Sequence, residues 1–218
     1  HLTQAAYQGK VQAQFELAQA YERGDYVVRN FEQAVKWYRL AANNDQPKAQ
    51  YFLGLLYKVG AYYTKDTKLA FEWFEKAASQ NDIESQKQLA DILLSGLVTA
   101  ASLEVAAYWL TLAAEANDAD AQYRLARLLH ENKDLQSGSS AHTWLSKAAE
   151  NGKAAAQYDL ALFFLKSKNS QTNDGKLNAK TKAKNWLMRS ANQGHRLAQL
   201  KLDELSAQKK SQNMVSAT

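Results

Sequence analysis

Four histidines, His1, His130, His142 and His195, are the side chains best suited to acid–base or metal chemistry. None lies in a His-Glu-x-x-His arrangement, and none pairs at helical spacing with another histidine or a carboxylate ladder. They read as surface histidines. Cysteine is absent, which removes thiolate nucleophiles, thiolate metal sites and disulfides. There is no glycine-rich phosphate loop and no Gly-x-Ser-x-Gly elbow. The expectation is a protein without catalytic residues, metal or cofactor.

Two ladders offer a different chemistry. The five tryptophans, Trp37, Trp73, Trp109, Trp144 and Trp186, are spaced 36, 36, 35 and 42 residues apart. Gln14, Gln50, Gln86, Gln122, Gln157 and Gln199 follow at spacings of 36, 36, 36, 35 and 42. A row of indoles could be stacking platforms for sugars or bases. Each, however, has alanine three residues before it (Ala34, Ala70, Ala106, Ala141, Ala183) and a small residue four after (Ala41, Ala77, Ala113, Ala148, Ser190). Small residues on the face of a large ring let helices approach while the ring fills the gap, so the tryptophans are expected in the core. The glutamines lie beside the apolar face. They are expected to hydrogen-bond backbone groups where units meet rather than to hold a ligand.

A period near 36 residues means one supersecondary unit stacked several times. In the second unit, Ala49, Leu53, Gly54 and Tyr57 share one face of a first helix, helix A. Gly60 stops it, as a left-handed residue does. Asp66 opens helix B, where Ala70, Trp73, Phe74, Ala77 and Ala78 form the apolar stripe. Asp45, Asn81, Asn117, Gly152 and Gly194 end the B helices, all types that accept the left-handed region. From each Trp to the next Gln the count is always 13, whereas from Gln to Trp it is 23, 23, 23, 22 and 29. The B-to-A turn is therefore fixed, and insertions fall in the A-to-B loop. The longest, Lys166 to Asn178, reads as a mobile loop.

The 218 residues contain 9 Gly and 1 Pro, so helices meet few breakers. No run of about 18 apolar residues exists to span a membrane. No Asn-x-Ser/Thr sequon occurs, which disfavours a glycosylated secretory protein. His1 falls where a Trp would sit, so residues 1–9 read as the end of a preceding unit and the chain as a processed or trimmed product. Units are placed at 10–45, 46–81, 82–117, 118–152 and 153–194, with a capping helix at 195–209 and a disordered tail at 210–218, all in one domain.

The pattern Ala-Gln-(Tyr/Phe)-x-Leu-(Gly/Ala), then Ala-x-x-Trp, then Ala-Ala-x-x-Gly, resembles the Sel1-like repeat family, a relative of the tetratricopeptide repeats. The period fits, because tetratricopeptide units are about 34 residues long. The resemblance runs from residue 5 to about 205; the third unit departs from it at Ser85 and Lys87. It implies an all-α, right-handed α-solenoid of about five helix pairs plus a terminal capping helix. It also implies a non-catalytic adaptor or scaffold for other proteins, in bacteria often in the periplasm or cell envelope.

In the related helical repeats helix A lines the concave face. By phase, the candidate partner-binding residues are Tyr51, Leu55, Tyr123, Arg127, Tyr158 and Leu162. Aromatic residues interleaved with charge suit a peptide groove. The Tyr rung reads equally well as packing against the next unit. Charge is segregated: residues 166–218 hold eleven basic and three acidic residues, a balance of +8, against −3 for the rest. Lys166, Lys168, Lys176, Lys180, Lys182 and Lys184 form a candidate basic patch. The leading expectation is a scaffold gripping another protein or peptide on its concave face. The alternative is a basic C-terminal end that binds an anionic polymer or touches the cell envelope. Nucleic acid is disfavoured, since no aromatic residue lies between Lys166 and Lys184.

Overall fold

The residue types at helix ends decide where this chain turns. In the computed structural model the described residues are 1–97, 102–135, 140–166 and 173–215, without the side chains of 173–176 and 209–215. All regular structure among them is helical. The Cα positions group into two compact bodies, His1–Ala116 and Asn117–Thr218.

The first body holds α1 (Leu2–Tyr7), α2 (Val11–Arg23), α3 (Phe31–Asn43), α4 (Pro47–Val59), α5 (Thr67–Ser79), α6 (Ile83–Ser95) and α7 (Leu103–Glu115). Each helix packs on the next in sequence. Even-numbered helices from α2 are A helices, and α3, α5 and α7 are B helices. Side-chain oxygens of Asn30, Asp66 and Ser102 accept from backbone N–H groups three residues on and so start the B helices. Gly24, Gly60 and Gly96 end the A helices in the left-handed region. Asp45 and Asn81 take φ of 60° and 64° in the B-to-A turn, which is why that turn keeps one length.

Here the packing corrects one expectation. Trp37 is buried, but Trp73 and Trp109 are only partly so. In each of these B helices the residue after the tryptophan, Tyr38, Phe74 or Leu110, is buried more deeply than the tryptophan itself. Phe74 lies so close to Gly54 that a Cβ there would meet its ring at 2.5 Å. The other units carry alanine at that rung, and this one has lost its methyl group to admit the phenyl ring. The Ser85 departure is also local: Asp82 caps α6 through the Ser85 N–H at 2.9 Å and accepts from the Ser85 hydroxyl at 2.8 Å.

Five of the six ladder glutamines are buried, as expected, and Gln199, towards the C-terminal end, is instead exposed and donates to Asp203. Gln14, Gln50 and Gln86 donate from Nε2 to the carbonyls of Ala6, Ala42 and Ala78, each eight residues back at the end of the preceding helix, at 3.2–3.3 Å. Gln14 and Gln50 also accept at Oε1 from Asn44 and Gln80, which sit just past helix B of their own unit. One buried amide thus ties two B helices to the A helix between them. In the third unit the matching residue is Ala116, which has no donor, and Gln86 Oε1 is left buried without a partner.

The second body holds α8 (Ala119–Glu131), α9 (Ala141–Glu150), α10 (Ala154–Lys166), α11 (Asn173–Asn192) and α12 (Arg196–Val215). The clamp recurs: Gln122 accepts from Asn151, and Gln157 donates to Ala149 and accepts from Gln193. Ser190, standing where other units have alanine, is buried and donates to the Ala154 carbonyl at 2.7 Å. Trp144 is buried and Trp186 partly so. Lys147 and Arg189, three residues further on, lie over their rings at 4.3 and 4.9 Å, as Lys76 does over Trp73.

Helices extend further here than the composition indicates. α11 begins at Asn173, inside the stretch read as a mobile loop, and α12 runs to Val215, through most of the segment read as a tail. Within these stretches Lys176 and Leu177, and Lys210, Gln212 and Met214, are good helix formers, and neither stretch contains proline. Of the expected loop and tail, residues 167–172 and 216–218 lie outside the described residues.

Candidate functional site

Three helices of the second body enclose a groove of about 380 Å³. From α8 come Arg127, His130 and Glu131, at i, i+3 and i+4. From α10 come Asp159, Leu162, Phe163 and Lys166, at i, i+3, i+4 and i+7. α9 contributes His142 and Leu145. Helical periodicity puts each set on one stripe, so two A helices and the B helix between them supply the walls.

The lining divides into an apolar middle and a charged rim. Leu145 and Leu162 are half-buried, but Phe163 remains 45% exposed, with its ring 4.3 Å from that of His142. Leu162-Phe163-Phe164-Leu165 is four apolar residues in a row. A period of 3.6 cannot bury all four on one side, so one must face outward, and it faces into the groove. On the rim Arg127 pairs with Glu131 at 3.2 Å. Asp159 accepts from the Tyr123 hydroxyl at 2.8 Å. Burial first, and then this bond to a carboxylate, push the Tyr123 hydroxyl up to about 12.

The sequence-predicted residues separate accordingly. Arg127, Leu162 and Lys166 come together in the groove, and Tyr123 sits behind it holding Asp159. Tyr158 is half-buried and faces the ring of His195 at 5.1 Å. His195 is itself half-buried, not a surface histidine, and its Nδ1 is buried without a hydrogen-bond partner. Tyr51 and Leu55 belong to the first body and pack on its core around Phe74. Burial, and the carboxylates of Glu84 and Asp82, raise the Tyr51 hydroxyl above its ordinary value. These contacts favour the structural side of the Tyr rung.

In the basic patch Lys166, Lys180, Lys182 and Lys184 are exposed. Lys176 lies in α11 with its side chain outside the described residues, and Lys168 lies outside them altogether. Phe163, His142, Asp159 and Glu131 were missed as groove residues. For Asp159 a signal existed: the fifth unit is offset by one residue, so it stands 36 after Tyr123 where the rung itself names Tyr158.

Among the described residues no group of three His, Cys, Asp or Glu side chains is placed to hold a metal, and no helix is long and apolar enough to cross a membrane. What the groove offers is an apolar floor with paired charges at its edge. Tandem helix pairs of one recurring pattern define a helical-repeat protein.

The chain belongs to the Sel1 repeat family. The family profile matches residues 11–46, 47–82, 83–118, 119–153 and 154–195, five repeats in succession. Members are generally non-catalytic scaffolds for protein–protein interaction. A Sel1 repeat protein from Oxalobacter formigenes is 35% identical, with a TM-score of 0.55 over 57% of this chain and 93% of that one. The protective antigen c5321 of uropathogenic Escherichia coli, which has an SLR fold, is 27% identical with a TM-score of 0.59, over 94% of this chain and 50% of that one. A Sel1 repeat protein from Klebsiella pneumoniae subsp. pneumoniae is similar in fold, at 20% identity and a TM-score of 0.52, over 94% of this chain and 97% of that one. No curated protein matches the chain at a significant level.

Proposed function

We propose that this protein is a non-catalytic scaffold that grips a peptide segment of another protein in the α8–α10 groove. The observation that carries the reading is Phe163, a large ring left 45% exposed on a helical stripe with Leu162 and Lys166. A ring held by its helix and only partly covered by its own chain is the kind of anchor that dominates interface energetics. Arg127, Leu162 and Phe163 contact the segment, and Lys166 and Glu131 flank it. Tyr123 positions Asp159. Tyr51 and Leu55 lie in the first body, half-buried against its core, and are left out of this groove.

The test is a selection of peptides from a displayed random library on the full chain, followed by affinity measurements on variants. Phe163→Asp is expected to weaken the selected peptides by about tenfold or more with the melting temperature unchanged. Tyr108→Asp, at another exposed aromatic residue on α7, should leave binding intact. Equal binding to the parent and to Phe163→Asp would sink the reading.

A further inference from the structure

From Gly175 to Leu202 the chain contains no acidic residue, while Lys176, Lys180, Lys182, Lys184, Arg189, Arg196 and Lys201 fall within that span. Most of it is α11. Ala183, Leu187 and Ser190 form the buried side of this helix. At 100° per residue the exposed flank beside it carries Lys180, Lys184, Leu177, Met188 and Thr181 within one arc of about 100°, followed by Asn185 and Arg189. Leu177 is 66% exposed and Met188 40%. Lysines four apart repel and weaken an isolated helix. Among the described residues no carboxylate is seen paired with Lys180 or Lys184. The face therefore combines unneutralised cations with uncovered apolar side chains, which calls for an anionic occupant with an apolar interior.

We propose that this face of α11 docks on the surface of a bilayer containing anionic lipid. Charge complementarity sets the sign of the partner. Leu177 and Met188 set its kind, because a headgroup layer can receive apolar side chains between phosphates, whereas a nucleic acid would call for stacking rings that this face lacks. The contact is peripheral, and it leaves the α8–α10 groove to its own partner.

The experiment is co-sedimentation of the full chain with vesicles of phosphatidylglycerol and phosphatidylcholine in equal parts, and with phosphatidylcholine alone. Binding is expected only to the first, falling as salt rises. One cation near an anionic leaflet is worth roughly fivefold, so Lys180→Glu with Lys184→Glu should weaken binding by at least about twentyfold. Leu177→Asn with Met188→Asn should weaken it several-fold at constant charge. Circular dichroism verifies that both variants fold. No binding to the anionic vesicles, or no effect of either variant, overturns the proposal. So does tighter binding to a single-stranded oligonucleotide or to polyglutamate than to the vesicles, which would identify a nucleic acid or an acidic protein as the occupant.

Discussion

Ala116 interrupts a pattern that the other units keep. Asn44, Gln80, Asn151 and Gln193 each donate to the glutamine of their own helix A, and Gln86 has no such donor. Ala116 has φ −75° and ψ 13°, close to the −77° and 11° of Asn151, so an amide side chain fits the backbone there. A buried unsatisfied acceptor costs about 1–3 kcal/mol. Ala116→Asn should stabilise the chain by about 1 kcal/mol, read as a higher urea midpoint at unchanged slope. Tyr123 gives a second residue-scale expectation. Its hydroxyl has an ordinary value of 10.0 and is pushed up to about 12 in the fold, burial first and the Asp159 bond second. Between those values the unfolded chain has already released this proton and the folded one keeps it. The stabilisation is whole below pH 10 and fades as pH climbs towards 12. Tyr38, raised for the same two causes with Glu22 as partner, acts in the same direction. Tyr123→Phe should therefore flatten the alkaline fall of the melting temperature across that window.

Helix pairs fit because each rung accepts a certain volume. α4 and α5 meet at Gly54 and Phe74, where an added methyl group collides with a fully buried ring. Gly54→Ala gains about 1 kcal/mol of helix propensity and loses about 1–3 to overpacking. The net should be a loss in the parent and a gain in a Phe74→Leu background, a sign reversal that a double-mutant cycle with chemical denaturation reads directly. Much of this level was legible in the sequence. Gly60, Asp66 and Asn81 punctuate the helices because their side chains, or lack of one, act locally. The glutamine clamp was legible too, since its geometry repeats with the period. Burial order was not: the alanines around each Trp share its face, but only packing shows that Phe74 and Leu110 lie deeper and that Lys76 covers the Trp73 indole. The groove was half legible. Arg127 and Leu162 follow from phase, whereas His142 and Phe163 meet only once three helices are assembled. The first turn of α11 escaped notice because Asn and Gly resemble loop composition, and no single residue signals that lysines beyond them extend the helix.

At the scale of the whole chain, stability in a repeat protein is a sum over units and their neighbours, so a defect such as the one at Ala116 is felt locally. Charge follows another rule. Residues 166–218 hold +8 while the remainder balances near neutrality at −3, so the α8–α10 groove lies in the weakly acidic part with only Lys166 at the boundary, and the basic face of α11 lies beyond it. The B-to-A turn has a consequence of another kind. Every turn has one length, and in the first body Gln46 and Asp82 cap the A helices that follow by accepting from the third N–H beyond. Residues 47–82 are thus a cassette with matching ends. Cutting them out would bring Gln46 up to Ile83 with the same cap to offer, and would hand Gln86 the Ala42 carbonyl in place of that of Ala78. A chain built this way can be lengthened or shortened by whole periods through simple recombination, because each joint already contains the instructions for its replacement.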